Sequence, residues 1–176
     1  KQQKKVPDVS IIIVSYNTRE MLRACLASIV SHQGERDAWE VIVVDNGSND
    51  GSPEAISNIQ YPISNIKIIR NKKNLGFAAA NNQGIRASRG RYVLLLNSDT
   101  EITSGVLNEL VGYMDGHPEA GAITGRVNLV NGSIDPACHR GFPTPWASFT
   151  YFMGLEKLFS STRLFGQYHQ GYKSMG

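Results

Sequence analysis

The sequence is poor in cysteine. It has two in 176 residues, Cys25 and Cys138, far apart in the chain. That excludes a disulfide framework and fits a reducing, cytoplasmic compartment. It has no apolar run near the ~20 residues of a membrane span. The longest, Val9–Val14 and Val93–Leu96, are strand-sized. It also lacks a charge excess. Eighteen basic against fifteen acidic side chains give +3, part of it from the tail Lys1, Lys4 and Lys5, expected to be a solvated end. No nucleic-acid partner is expected from so small a surplus. No signal peptide is expected, repeats and low-complexity segments are absent, and the sequence does not begin with methionine. A start at Lys1 is expected of a trimmed chain or of the interior of a longer gene product.

What is present is a core-forming composition, with 41% hydrophobic and 19% charged residues. Glycine, at 17 residues, exceeds the average of ~7% and suggests many tight turns. Apolar runs alternate with helical patterns. Val9–Val14, Trp39–Val44, Ile66–Ile69 and Tyr92–Leu96 read as buried strands. Asn17 with Glu20 three residues on has the form of a capping box. Met21, Leu22, Cys25, Leu26, Ile29 and Val30 follow at helical spacing. Ser52-Pro53 opens a short helix. Phe77–Arg89 reads as a helix stopped by Gly90, and Val106–Met114 as another. A fifth strand is expected from Ala122, and Asn131-Gly132 signals a hairpin. This order implies an α/β protein, a Rossmann-like, mostly parallel sheet with helices on both faces. After Pro143 the alternation stops and aromatics crowd in, from Trp146 to Phe165. We therefore expect a core over 6–143 and an aromatic-rich, truncated lid or acceptor-side segment over 144–176.

Ligands of open parallel sheets bind at the carboxyl ends of the strands. Here those ends carry Ser15-Tyr16-Asn17, Asp45-Asn46-Gly47-Ser48, Asn71 with Asn74-Leu75-Gly76, and Asn97-Ser98-Asp99. None supplies a histidine, which argues against zinc. Neither G-x-G-x-x-G nor G-x-x-x-x-G-K follows the first strand, which argues against a dinucleotide dehydrogenase and a P-loop NTPase. The same lack speaks against a nucleotidyltransferase. Tyr16 suits a base or ribose. Asp45 suits an N–H or ribose hydroxyls, although Asp-Asn-Gly is also plain turn chemistry. Asp99 is a hard oxygen ligand suited to Mg²⁺ or Mn²⁺. Asp50 reads as structural, stabilising the turn before the next helix.

Four segments, Val9–Asn17, Val41–Ser52, Asn74–Gly84 and Tyr92–Asp99, stand in an order that resembles the signatures of family 2 inverting glycosyltransferases. These have the GT-A fold. The flavour is that of the bacterial cell-surface polysaccharide group, which includes rhamnosyltransferases. The resemblance covers Val6 to Val127. It implies transfer of a sugar from a nucleotide-diphosphate sugar to a saccharide or lipid-linked saccharide acceptor, with inversion. By the same resemblance Tyr16 lies near the nucleobase, Asp45 contacts base or ribose, Gly76 lets the protein backbone approach the nucleotide, and Asn97 and Ser98 adjoin the sugar-diphosphate. Asp99 is then the metal ligand, and Ser15, Asn17, Asn74 and Asn81 complete the donor-binding set. There are departures. Asn97 replaces a first carboxylate, and Asn81 stands where many relatives carry arginine. The family's later Glu-Asp motif, which holds the general base, has no match here. A non-catalytic nucleotide-sugar-binding module is the alternative. The aromatic segment with Lys157 reads first as a lid or core piece. Second, it reads as a peripheral contact with the inner face of the membrane, where a lipid-linked acceptor would be met.

Overall fold

The computed structural model describes residues 6–31, 39–57, 66–135, 138 and 141–170. The basic tail Lys1, Lys4 and Lys5 lies outside them. Two compact units divide the chain, Lys1–Glu119 and Ala120–Gly176.

The first unit runs β1 (Val9–Ser15), α1 (Arg19–Ser31), β2 (Trp39–Asp45), α2 (Ser52–Ser57), β3 (Ile66–Arg70), α3 (Phe77–Ala87), β4 (Tyr92–Asn97) and α4 (Val106–Gly116). The strands form a parallel sheet in the order β3-β2-β1-β4. β1 is central because its run of isoleucines is apolar on both faces: Ile11, Ile12 and Ile13 are fully buried. Each such side chain contributes about 1.5–3 kcal/mol of burial. One face of the sheet carries Ile11, Ile13, Val41 and Val43. It packs on Leu22, Cys25, Leu26 and Ile29 of α1, Ile56 of α2, and Leu107 and Val111 of α4. The other face carries Ile42 and Val44 against Ala80 and Ala87 of α3. Gly84 of α3 leaves room for Ile12, because a Cβ there would collide with that side chain. Helices thus cover both faces, as the sequence order requires.

Three expectations change. The segment from Ala122 to Thr124 is not a strand. Its short run lies between Gly121 and Gly125 and forms no ladder, so the sheet has four strands among the described residues. The helix read as Phe77–Arg89 ends at Ala87. Arg89 leaves it because its backbone N–H donates to Glu40 Oε1 at 2.7 Å. The capping box of Asn17 and Glu20 does not form, since α1 begins at Arg19 and takes its cap from elsewhere.

In the second unit the Asn131-Gly132 turn is formed. Asn128 and Ile134 make a single antiparallel bridge, with Leu129 N–H donating to Ser133 O at 2.7 Å. The unit then holds α5 (Pro145–Phe152) and α6 (Leu155–Leu158). Thr144 caps α5 by accepting from Ala147 N–H. The Trp146 indole donates to Leu164 O at 2.9 Å. The boundary between the units falls before the hairpin, so the change of composition at Pro143 lies inside the second unit.

The amino ends of the strands are closed by Glu40. It is buried, at 6% exposure, and accepts from Ser10 Oγ, Arg89 N–H, Nε and Nη2 at 2.7–3.1 Å. Burial pushes its carboxyl up. The hydrogen bonds of the Arg89 side chain, Ser10 and the Arg89 backbone, with the guanidinium charge, outweigh that and hold it below the usual glutamate value. A lowered folded pKa contributes stability that is present above the unfolded value of about 4.3 and lost as pH falls through the folded one. Glu40→Gln should therefore cost about 1–3 kcal/mol at pH 7. Its deficit relative to the parent should shrink as pH drops below about 4. Urea unfolding across that range measures both, and a deficit independent of pH would show that the charge is not what matters.

Candidate functional site

The order in which strands join the sheet reverses about β1: β2 and β3 lie to one side and β4 to the other. A crevice opens outside the carboxyl ends at such a point. Here it is a cleft of about 270 Å³. The β1 end contributes Val14, Tyr16, Thr18 and Met21, and the β4 end Asn97, Ser98 and Asp99. Asn46, Asn74 and Phe77 form the rest of its wall. Register sets this geometry, since Ser15 lies opposite Asp45 and Val14 opposite Asn97.

Of the residues expected from the sequence, Tyr16, Asn74, Asn97, Ser98 and Asp99 line the cleft. Tyr16 is 46% exposed, with its ring available. Ser15 is buried and its Oγ lies 2.9 Å from Thr18 Oγ1. Asn17, at φ 54°, stitches two loops: its N–H donates to Ser48 Oγ, and its Oδ1 accepts from Asn49 N–H, both at 2.9 Å. Gly76 stands before α3 at φ 85° and ψ 159°, and offers that helix no side-chain cap. Asn81 is buried and turned into its own helix, donating to Phe77 O at 3.0 Å. Asp45 is 3% exposed, with Oδ1 accepting from Ser48 N–H at 3.4 Å. Its carboxylate is thus tucked behind the turn, not standing in open water.

Sequence reading assigned no site role to Asn46, Thr18, Met21 or Phe77, although Asn46 stands in one of the strand-end clusters. Met21 and Phe77 read there as parts of helices, yet they are 56% and 60% exposed on the cleft. Phase gave no signal: Met21 stands four residues before buried Cys25 and seven before buried Ser28, in step with the stripe that faces the core.

The start of α1 is occupied. Asp50 Oδ2 accepts from Arg19 N–H at 2.9 Å, and Asp50 Oδ1 accepts from Ser52 N–H and Oγ. In dinucleotide and P-loop folds a phosphate sits at the first helix N-terminus; here an acidic side chain of the chain itself sits there. Asp50 does structural work, as the sequence suggested. Below the β4 end, Cys25 approaches Asn97 O at 3.7 Å. Burial, then the charges of Asp99 and Glu101, push its thiol up to about 12. Among the described residues no three His, Cys, Asp or Glu side chains gather into a ready-made metal cage. Asp99 instead offers one exposed carboxylate beside the neutral oxygens of Asn97 and Ser98. This is a hard donor set that fits a Mg²⁺ or Mn²⁺ shared with a ligand's own oxygens.

A sequence model of Glycosyl transferase family 2 matches residues 10–170. The chain belongs to this family. It is 33% identical over 130 residues to the glycosyltransferase AglE of Haloferax volcanii, covering 74% of this chain and 40% of that protein. It is 30% identical over 168 residues to the succinoglycan biosynthesis protein ExoO of Rhizobium meliloti, covering 92% and 46%. The chain thus spans less than half the length of these family 2 relatives. Its fold is that of GT-A glycosyltransferases. Staphylococcus aureus TarS, in complex with UDP-GlcNAc, superposes with a TM-score of 0.58 at 21% identity, over 71% of this chain and 41% of that one. The mannosyltransferase PcManGT of Pyrobaculum calidifontis, in complex with GDP-Man and Mn²⁺, gives 0.58 at 26% identity, over 72% and 36%. No helix of the described residues is long and apolar enough to cross a membrane.

Asp50 caps α1 and the α2 turn together, and its carboxyl is held below the usual aspartate value, chiefly by the Ser52 hydroxyl. Asp50→Ala should lower stability by about 1 kcal/mol, the usual cost of a lost cap. Chemical denaturation at pH 7 measures it. A parent-like midpoint would show that water replaces the carboxylate at both helix starts.

Proposed function

We propose that this chain is the donor-binding part of an inverting glycosyltransferase of cell-surface polysaccharide synthesis. It takes a nucleotide-diphosphate sugar and serves a hydroxyl of a saccharide or lipid-linked saccharide. The observation that carries this reading is the β1–β4 cleft, with an exposed aromatic ring at one strand end and an exposed carboxylate at the other. That cleft lies in a family whose structural neighbours hold UDP-GlcNAc or GDP-Man. The two free cysteines suit the cytoplasm, where we place the site.

The residues divide the work by chemistry. Tyr16 packs against the base or ribose. Among the described residues Asp45 accepts one long side-chain bond, from Ser48 N–H, and we assign its remaining acceptor capacity to a base N–H or a ribose hydroxyl. The first turn of α3 begins at cleft-lining Phe77 and carries no side-chain cap. Its N–H groups favour a nearby diphosphate. Asp99, with Asn97 and Ser98, would hold the divalent cation. When bound, that cation supplies charge neutralisation for the diphosphate leaving group. No carboxylate is assigned as general base. Asp115 is held by Arg91 and Tyr92. Glu156 is buried and accepts from His169 N–H. The alternative reading is a nucleotide-sugar-binding module without turnover. Sugar transfer by a longer form of the chain would exclude it.

One carboxylate is a poor cage, so metal should bind weakly alone and well with a diphosphate. By reciprocity the metal then raises nucleotide affinity by the same factor, typically about 5–150-fold. Calorimetry of UDP and GDP with and without Mn²⁺, in the parent and in Asp99→Asn, tests the assignment. The enhancement should vanish in the variant while part of the base and ribose affinity stays. Equal enhancement in both proteins would remove Asp99 from the metal site.

A further inference from the structure

We infer that Asn46 is a positioning residue for the donor cleft, acting through the loop of residues 71–76. This rests on the donor-site reading above. Asn46 is only 2% exposed. Its Oδ1 accepts from Leu75 N–H at 3.0 Å and from Asn71 Nδ2 at 3.1 Å. Its Nδ2 donates to Asn74 Oδ1 at 2.9 Å and to Gly76 O at 3.5 Å. All four hydrogen-bonding positions of the amide are spent inside the protein. Little is left for a ligand, so its contribution to the cleft is made through what it holds.

The orientation of these amides follows from backbone donors. Leu75 N–H can only donate, so the Asn46 atom facing it is oxygen. Gly76 N–H donates to Asn74 at 2.8 Å, so that atom is Oδ1. Asn71 Nδ2 then has two hydrogens for two acceptors, Asn46 Oδ1 and Gln83 Oε1 at 2.8 Å. Gln83 Nε2 returns a bond to Asn71 Oδ1 at 3.0 Å. The chain of amides runs from α3 through Asn71 and Asn46 to Asn74.

A second contact presses the same loop onto the same turn. Gly47, at φ 86°, has no Cβ, and one built there would lie 2.8 Å from Lys73 Cα. The held segment contains Gly76, whose backbone is in a region open essentially to glycine alone. Such a segment has many alternatives when released. Asn74 within it and Phe77 directly after it line the cleft. Releasing the clamp therefore lowers the fraction of molecules with a formed wall, and apparent affinity falls by that fraction.

The test uses Asn46→Ala, Asn46→Asp and Gln83→Ala, the last outside the cleft. Amide hydrogen exchange at Leu75 and Gly76 is compared with β1 and β2, and UDP and GDP affinities are measured with Mn²⁺. Asn46→Ala should speed exchange at Leu75 and Gly76 selectively and weaken the nucleotide that the parent binds about tenfold. Gln83→Ala should move both readouts the same way by less. Asn46→Asp keeps an acceptor for Leu75 and should recover part of both. If the parent binds neither nucleotide, the donor-site reading fails and this role with it. If the parent binds and the loop amides loosen without loss of affinity, the positioning role alone is overturned. Unchanged exchange overturns it too. Should Asn46→Ala not fold, Gln83→Ala decides by the same two readouts.

Discussion

Everything at the cleft depends on the double pairing of β1. That strand is bonded in parallel to β2 on one side and β4 on the other. Parallel ladders of this kind need both faces covered, and the isoleucines of β1 supply apolar groups to both. Because the register is fixed, the chain leaves β1, β2 and β4 at one level. Three polar loops then start side by side. A slip of one residue would turn the isoleucines over and also move Asn97 away from Val14.

Strand ends bring loops together but do not fix their shape. That is done by side chains reaching from one loop to the next. Asp50 of the β2–α2 loop caps α1, and Asn17 of the β1–α1 loop accepts from Asn49. Asn46 holds the loop after β3. The β2–α2 turn is the common mount. Its residues are short and polar because each must reach a backbone group one loop away, and longer side chains would lose more entropy on being held.

The same fact explains what the sequence disclosed. Buried parallel strands are apolar runs, and β1 to β4 could be read directly from Val9–Val14, Trp39–Val44, Ile66–Ile69 and Tyr92–Leu96. The placement of polar clusters at their ends followed. The partners of those clusters did not. Asn17 and Glu20 have capping-box spacing, but the cap came from Asp50, thirty-one positions from Arg19, and no local pattern carries such a contact. Asn81 looked like a donor-binding residue, and the structure turns it onto Phe77 O. The segment at Ala122 read as a strand, but a strand exists only where a neighbour completes its ladder, and none does among the described residues.

The distribution of charge adds a last constraint. At the amino ends of the strands, carboxylates and guanidinium groups are matched: Glu40 with Arg89, and Asp8 and Asp115 with Arg91. At the carboxyl ends the groups are mostly amides and hydroxyls, whose hydrogen bonds close on one another. Asp99 stands apart there, with no ion-pair partner among the described residues and an exposed position on the cleft wall. Neutral groups can shape a wall without fixing a field, so the single carboxylate sets its sign. A diphosphate alone would be repelled by it, and a cation alone would find too few ligands. Under the donor-site reading proposed above, the two together would satisfy the site, and the charge pattern is one support for that reading.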